Sequence, residues 1–442
     1  MAIALEHTIK INKTASALLT GVICWTLFVL SSPEGSLLAS APWSDYIKES
    51  RISLGDKVSI MTQDELFRGY VVSELSDHLA KISEILFFLM GAMTIVELVD
   101  AHHGFRLITD RIKTKNPKTL LWVVCWITFF LSAILDNLTT SIIMVSLIRK
   151  LIPDTKMRLF FAGMIVIAAN AGGAWTPIGD VTTTMLWIGG QITTLNIMKT
   201  VLLPSIACML APLLYLNFTL KGTLGENQQK PADEKVVSGG RLMLLLGLGT
   251  LISVPVFKTF THLPPYIGML GGLGVLWVVS ELIHPDLDET IKKPYTAAGA
   301  LSRIDVPSVL FFLGILMAVG ALESMLTLHQ FATYLSDTLG DNRIIITLIG
   351  LLSAVVDNVP LVAASMGMYS MDIYPQDHMI WEYLAYCAGT GGSILIIGSA
   401  AGVAVMGMEK IDFVWYLKKI SLIALIGYFA GAATYLLLQP LL

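Results

Sequence analysis

One short phrase occurs twice in this chain, and each copy carries an acidic residue followed by asparagine. The phrase Leu-Ser-Ala-x-x-Asp-Asn ends at Asp136-Asn137 and again at Asp357-Asn358. Both pairs lie in the middle of long apolar stretches, where a carboxylate costs about 2.5–3.5 kcal/mol on insertion scales. Two such residues at matching places predict a membrane carrier whose substrate site lies at the interface between two repeats.

The composition predicts an all-α polytopic membrane protein. Of the 442 residues, 55% are hydrophobic and 14% are charged, whereas a soluble domain carries about 25% charged residues. The apolar runs are continuous rather than alternating, which excludes an outer-membrane β-barrel. The four cysteines lie in apolar segments without a CxxC motif, so the sequence favours packing thiols over a disulfide framework or a metal site.

The distribution of basic residues predicts the orientation. We place nine crossings near 15–32, 79–100, 159–188, 199–220, 242–257, 266–283, 306–328, 380–408 and 419–438. With the N-terminus inside, the inside segments hold 21 of the 29 Lys and Arg residues. The N-terminus resembles a signal peptide, but its apolar run is long enough to span, so we expect a retained helix.

The predicted organisation has five parts, which follow one another along the chain. They are an N-terminal transmembrane helix with an external polar segment (1–78), a first repeat (79–220), a cytoplasmic linker (221–241), connecting transmembrane helices (242–305) and a second repeat (306–442).

Three sequence blocks recur in the same order, which makes the repeat specific. Leu86–Leu89 matches Leu310–Leu313, the Asp-Asn phrase recurs, and residues 171–180 match 390–399. Our topology places five crossings between the first helices of the two repeats. An odd number predicts that the repeats are inverted.

The lengths of the two apolar stretches that contain the Asp-Asn phrases do not fit a whole number of membrane crossings. The first, 120–148, is too long for one crossing of about 20 residues and too short for two crossings of about 40. A re-entrant helical hairpin fits this length, and 344–369 would form a second hairpin that enters from the opposite face.

Each repeat also contains a stretch that predicts a broken transmembrane helix. In 159–188, glycines and Pro177 interrupt the midpoint, where they allow unwinding. Irregular backbone at that depth is tolerated only around a cavity or inside protein. The matching break in 380–408 lacks a carboxylate and offers hydroxyl groups as secondary polar ligands: Thr390, Ser393 and Ser399.

The hairpin tips and broken helices together predict an oxygen-rich, negative site that binds a cation and protons. Its predicted residues are Asp136, Asp180, Asp357, Asn137, Asn358, Thr139, Asn170 and Thr176. Hard cations prefer oxygen ligands, whereas an anion carrier would present positive charge or bare helix N-termini. A buried carboxylate can hold a proton or a metal ion but not both well, and this competition is a simple basis for proton-coupled exchange.

Other interpretations of these residues stay open. An intramembrane aspartate can cap a half-helix next to its asparagine, although the doubling and central placement favour a function. Four further polar residues favour interfacial positions over ligation, with a pH-sensing or accessory role as the alternative: Glu97, Asp100, His102 and Glu323.

At these motifs the chain resembles the NhaD-type sodium/proton antiporters of the ion transporter superfamily. The matching pieces run from Phe87 to His102, through Asp136-Asn137-Leu-Thr-Thr and residues 170–180, to Asp357-Asn358-Val-Pro. The resemblance implies inverted repeats with two opposed hairpins, a homodimer formed through a separate scaffold, and exchange of Na⁺ or Li⁺ for H⁺. Related citrate and dicarboxylate carriers have Ser-Asn-Thr at the hairpin tips, and segment 1–78 carries no matching motif.

The sequence therefore predicts a secondary antiporter of the bacterial inner membrane with a cytoplasmic N-terminus. Na⁺ would bind at Asp136, Asp180 and Asp357, without cofactor, enzymatic activity or nucleic-acid partner, and elevator-type movement follows from the resemblance alone. The first alternative is an anion or neutral-solute permease on the same fold, of the arsenite or di/tricarboxylate type. An intramembrane aspartyl protease would need Gly-x-Gly-Asp, of which only Gly179-Asp180 is present, and a channel would need no competing carboxylates.

Overall fold

The computed structural model describes residues 12–31, 35–109, 112, 114, 116–219, 239–283, 288 and 292–441. All regular secondary structure in these ranges is helical. Eight of the helices are long and apolar enough to cross a membrane. The prediction of an all-α polytopic membrane protein is confirmed. Most of the predicted linker, 221–238, lies outside the described residues.

The α-helices are given in chain order. They are α1 (Lys13–Leu30), α2 (Gly35–Leu38), α3 (Ala41–Leu54), α4 (Gln63–Ala101), α5 (Arg106–Thr109), α6 (Pro117–Ser132), α7 (Asn137–Leu151), α8 (Thr155–Ala174), α9 (Val181–Ile188), α10 (Thr194–Thr219), α11 (Gly240–Thr261), α12 (Pro265–Ile283), α13 (Ala297–Leu301), α14 (Val306–Ser324), α15 (Thr327–Leu339), α16 (Asn342–Leu352), α17 (Asn358–Met368), α18 (Met379–Gly391), α19 (Ala400–Glu409), α20 (Phe413–Lys419) and α21 (Ser421–Leu438).

The first of two compact units combines 1–86 with 306–340 and 363–373. It therefore joins the N-terminal segment to the first helices of the predicted second repeat. Helix α4 has 39 residues and begins at Gln63, so it extends well into the segment that we predicted to be external and polar. The division into units does not follow the predicted domain order, and the predicted boundaries stay a prediction.

Two glycines set the spacing between α1 and α14 in this unit. A Cβ at Gly314 would lie 2.5 Å from the carbonyl carbon of Ala17, and a Cβ at Gly21 would lie 2.8 Å from the Gly314 oxygen. The Nε1 of Trp25 donates to the carbonyl of Met317 at 2.8 Å across the same contact. Small residues thus let the two backbones approach closely, as is common between helices in membranes.

We expect Gly314→Ala to destabilise the first unit by about 1–3 kcal/mol, because the methyl group would overlap the α1 backbone. Thermal unfolding of the purified protein in detergent measures the change. Gly35→Ala is the control, since a Cβ there has nothing within 4 Å. Equal unfolding temperatures for the two variants would contradict this account of the α1–α14 contact.

The second unit combines 87–305, 341–362 and 374–442 and is organised around α8. Every residue from Phe161 to Ala174 is buried. Helix α8 packs against α6, α7, α10, α18 and α19, and α10 packs along α21. A helix that is apolar and buried on all sides belongs to the core of a large bundle.

Both predicted hairpin segments are pairs of short helices with a break at the Asp-Asn phrase. The first contains α6 and α7, of 16 and 15 residues, and the second contains α16 and α17, of 11 residues each. None of the four reaches the roughly 20 residues that one crossing needs. The lengths agree with segments of partial depth, and re-entry from opposite faces stays a prediction.

Both predicted broken helices are interrupted in their glycine-containing middle segments. The first is divided into α8 and α9 around Pro177, and the second into α18 and α19 around Gly398. Proline removes a backbone donor and cannot continue a regular helix without a kink. The break after α8 and the break after α18 each end at a capping side chain, Asp180 and Ser399 respectively.

Matching contacts join the hairpin segment to the broken helix in each repeat. The Ser132 hydroxyl donates to the Ala169 carbonyl at 2.6 Å, and the Ser353 hydroxyl donates to the Ala388 carbonyl at 2.9 Å. Both serines belong to the repeated phrase. The contacts support the predicted correspondence of the two repeats, whose inverted relation stays a prediction.

The glycines before each break make a second pair of matching contacts. A Cβ at Gly172 would clash with the carbonyl of Phe129, and a Cβ at Gly391 would clash with the carbonyl of Gly350. Glycine is required at both positions because the backbones of the hairpin and the broken helix touch there.

An ion cluster, the Glu409 clamp, joins the end of α19 to α7 and α8. The side chain of Glu409 is fully buried and accepts from Arg149 Nε at 2.6 Å and from Arg158 Nε at 2.7 Å. Arg158 also donates to the Ile152 carbonyl at 3.0 Å. The clamp thereby ties the second broken helix to the first repeat.

Candidate functional site

The carboxylate of Asp180 is the most buried of the three predicted acidic ligands. Asp180 is 2% exposed and caps the N-terminus of α9. Its Oδ1 accepts from the Thr182 amide at 2.9 Å and from the Thr182 hydroxyl at 2.7 Å. The charge is placed at the positive end of a half-helix, which stabilises an anion there.

Amide groups from both Asp-Asn pairs reach the same carboxylate. Asn137 Nδ2 donates to Asp180 Oδ2 at 2.6 Å, and Asn358 Nδ2 lies 3.5 Å from Asp180 Oδ1. Both asparagine side chains are buried. The structure therefore brings the first broken helix and both repeated phrases together at Asp180.

Asn170 extends this cluster to the second broken helix. Its Oδ1 accepts from Asn137 Nδ2 at 3.0 Å. Its Nδ2 donates to the hydroxyls of Ser393 and Ser399 at 2.9 and 3.0 Å. Asn170, which is fully buried, is thus the link between the breaks of the two repeats.

Asp136 and Asp357 are half-buried and take different positions from Asp180. Asp136 caps α7 by accepting from the Thr139 amide at 2.7 Å and from the Thr139 hydroxyl at 2.6 Å. Asp357 accepts from the Val359 amide at 3.5 Å. The capping role weighed from the sequence is therefore present at Asp136.

The three carboxylates do not form one coordination shell in this structure. Among the described residues, no group of three or more His, Cys, Asp or Glu side chains is placed to hold a metal ion together. The side chains that lie within hydrogen-bond distance of Asp180 are the amides of Asn137 and Asn358 and the hydroxyl of Thr182. A single ion shared by Asp136, Asp180 and Asp357 would require these groups to move.

Two of the predicted threonines hold the backbone. Thr176 donates to the Ala133 carbonyl at 2.6 Å and accepts from the Gly179 amide at 3.1 Å, which fixes the break against the first hairpin segment. Thr390 donates to the Tyr386 carbonyl at 2.7 Å, one turn earlier in its own helix. Both positions agree with an organising role.

The predicted accessory residues lie outside the Asp180 cluster. Glu97 pairs with Arg303, and the buried His102 places its Nδ1 2.8 Å from the Leu98 carbonyl. Asp100 lies exposed near the end of α4. Glu323 belongs to the first unit.

The site contains three residues that the sequence prediction left out. Thr182 provides two of the hydrogen bonds to Asp180, and it lies two residues after Asp180, at the start of a run of threonines in the first turn of α9. Ser132 and Ser353 join the hairpin segments to the broken helices. Their presence in both copies of the repeated phrase was the signal that could have found them.

The chemistry of this cluster suits a cation rather than an anion. The side chains hydrogen-bonded to Asp180 and Asn170 are neutral amides and hydroxyls, and none of these described partners is Lys, Arg or His. An amide that donates through nitrogen can turn and present its oxygen to an ion.

Comparison with known proteins places this arrangement in a transporter family. A family model described as citrate transporter matches residues 1–389. "Sodium/proton antiporter 1" of Arabidopsis thaliana is 48% identical over 441 residues, 99% of this chain and 70% of the relative. "Sodium/proton antiporter 2" of the same plant is 48% identical over 391 residues, 87% of this chain and 91% of the relative. "Na(+)/H(+) antiporter NhaD" of Vibrio cholerae is 33% identical over 394 residues, 83% of this chain and 80% of the relative.

The chain belongs to the citrate transporter family and is of the NhaD type. The resemblance predicted from the Asp-Asn and glycine motifs is thus confirmed. The family and the relatives are transporters, which excludes the intramembrane aspartyl protease and confirms that the chain is not an enzyme. Cofactor-free transport, as predicted, agrees with these relatives.

Proposed function

We propose that this family member exchanges Na⁺ or Li⁺ for H⁺ through competition at Asp180, with Asp136 and Asp357 as further carriers of cation or proton. One observation carries the proposal. A buried carboxylate is held by neutral amide and hydroxyl groups where both broken helices and both Asp-Asn phrases meet. The relatives named as sodium/proton antiporters support the same activity.

The exchange follows from the charge of the cluster. A proton on Asp180 cancels its charge, and so does a bound Na⁺, so either cargo lowers the cost of moving the site through a low-dielectric region. With both removed, the negative site is expensive to move. Asn137 and Asn170 would turn their oxygens toward the ion when Na⁺ replaces the proton, while Thr182 and the end of α9 hold the carboxylate in place.

The transport movement and the assembly are finer parts of the proposal. We propose elevator-type alternating access of the hairpin and broken-helix elements, and a homodimer. The protein would be multi-pass in a bacterial inner membrane, with its N-terminus in the cytoplasm. The predicted five-part organisation and the two opposed re-entrant hairpins belong to the same proposal.

The family description favours one second candidate, a carrier of citrate or a similar anion. Such a site needs positive charge or bare helix N-termini toward the substrate. Here Asp136 and Asp180 cap the helices that begin after the first Asp-Asn turn and the first break. Because these capping side chains are negatively charged, the anion carrier is the weaker candidate.

Proteoliposomes that contain the purified protein and a pH-sensitive dye test both candidates. NaCl or LiCl should collapse an imposed pH gradient, and Asp136→Asn and Asp357→Asn should each abolish most of this response. Full activity in both variants would show that these two carboxylates are structural. If no cation moves protons through the unmodified protein but labelled citrate enters, the anion carrier is the correct function.

A further inference from the structure

A cavity of about 470 Å³ opens among the start of α8, the end of α10 and the last residues of α20 in the second unit. Lys156, Lys418 and Lys419 line it together with Asp154 and Thr219. Its other walls are apolar or aromatic: Met157, Phe160, Tyr215 and Leu216. This basic cavity is separate from the Asp180 cluster, and none of its lining residues takes part in the site described above.

The polar lining lies at the start of α8, at the end of α10 and just before α21, three helices that are long and apolar enough to span a membrane. Helix α8 begins at Thr155, α10 ends at Thr219 and α21 begins at Ser421. The three ends meet in one place because α10 packs against both α8 and α21. Because these apolar helices end there, we place the cavity at the level of a membrane–water interface, where lipid headgroups are found.

The net charge of the residues that line the cavity is positive. Asp154 is occupied as the cap of α8, where its carboxylate accepts from the amides of Lys156 and Met157 at 3.2 Å each. Within the described ranges, no carboxylate forms an ion pair with Lys156, Lys418 or Lys419. Three ammonium groups against one committed carboxylate leave the cavity complementary to an anion.

The apolar walls continue toward the surface that would face lipid. The ring of Phe160 packs edge-on against the ring of Trp415, with the ring centroids 5.3 Å apart. Beyond the cavity, α10 and α21 expose apolar side chains, with Phe218 76% and Leu422 66% exposed. A ligand that fills the cavity and follows these helices needs a charged head and an apolar tail.

We propose that this basic cavity binds the anionic phosphodiester headgroup of a membrane phospholipid. The lysines hold the phosphate, and the acyl chains run along the exposed apolar face of α10 and α21. Basic pockets between transmembrane helices recognise anionic headgroups in this way. A free phosphate ion shares the headgroup chemistry but would not use the apolar walls.

Native mass spectrometry of the full-length protein in detergent tests the proposal with phosphatidylglycerol, phosphatidylcholine and inorganic phosphate as probes. We expect phosphatidylglycerol to bind at least about tenfold more tightly than phosphatidylcholine with the same chains, because each lysine near an anionic headgroup contributes about fivefold. Lys418→Gln/Lys419→Gln should lower this preference to at most about fivefold, the contribution of the remaining Lys156. Lys118→Gln/Lys410→Gln makes the same charge change outside the cavity and should keep it, since both residues are exposed.

Three results would overturn the proposal. The first is equal binding of the two lipids to the unmodified protein. The second is a preference for phosphatidylglycerol that is unchanged in Lys418→Gln/Lys419→Gln. The third is full displacement of phosphatidylglycerol by excess inorganic phosphate, which would identify a phosphate site instead. If the double variant does not fold, Lys156→Gln provides the same comparison, and because transport is not measured, the outcome is independent of the proposed antiport.

Discussion

Replacing Asp180 with Asn should reduce sodium-dependent proton exchange by about 100-fold while leaving the protein folded. The loss corresponds to about 3 kcal/mol, within the range for removing one member of a buried charge pair. An asparagine side chain can neither release a proton nor supply the negative charge that holds the cation. Exchange is measured as the rate of pH-gradient collapse in proteoliposomes after NaCl is added.

The local geometry makes this variant a chemical test rather than a structural one. Asn has the shape of Asp, and its oxygen can still accept from the Thr182 amide and hydroxyl, which lie at 2.9 and 2.7 Å. Its nitrogen would replace the oxygen that accepts from Asn137 Nδ2, so the Asn137 amide must turn and present its oxygen instead. Asparagine caps helices about as well as aspartate, so α9 keeps its start. The thermal unfolding temperature should therefore change little.

Asp45→Asn is the matched control, because it makes the same chemical change at a side chain that is 66% exposed and pairs with the neighbouring, exposed Lys48. It should keep full exchange. If Asp180→Asn keeps its exchange activity, competition at Asp180 is rejected. The proton and the cation would then be carried by Asp136 or Asp357. A large loss of unfolding temperature would mean that the asparagine disturbs α9, and the transport result would then need Asp180→Glu as a second variant.

The parts of the site that depend on local sequence could be predicted. A buried charge and a broken helix both cost free energy in an apolar stretch. The Asp-Asn phrases, Pro177 and the paired glycines are therefore strong local signals. Their repetition then indicated which residues share one place. In the structure, Asn137 contacts both Asn170 and Asp180.

The parts that depend on long-range packing could not be predicted. Glu409 pairs with residues 251 and 260 positions away, and nothing near it in sequence indicates this. The early start of α4 at Gln63 was also missed, because its first turns carry charges that resemble an external loop. Charged residues are compatible with a helix that continues beyond the apolar band, so polarity alone did not locate its beginning.

Removing the carboxylate of the Glu409 clamp should strongly destabilise the second unit. We expect Glu409→Ala to lower the free energy of unfolding by about 3–5 kcal/mol, the usual cost of leaving a buried ion pair without one partner. Two arginines converge on this side chain, so its loss leaves two positive charges near each other. Thermal unfolding in detergent, followed with the intrinsic tryptophan fluorescence, measures the change.

The two arginines of the clamp provide graded controls because their exposure differs. Arg149 is 45% exposed and can be hydrated when Glu409 is absent, whereas Arg158 is 18% exposed and also holds the Ile152 carbonyl. Solvent screening reduces the value of an exposed pair, so Arg149→Ala should cost less than Arg158→Ala, and both should cost less than Glu409→Ala. The clamp joins α19 to α7 and α8, so losing it should also slow exchange at temperatures where the protein is still folded. If Arg149→Ala were as costly as Glu409→Ala, the buried charge would not be the source of the stability, and the clamp would act through packing alone.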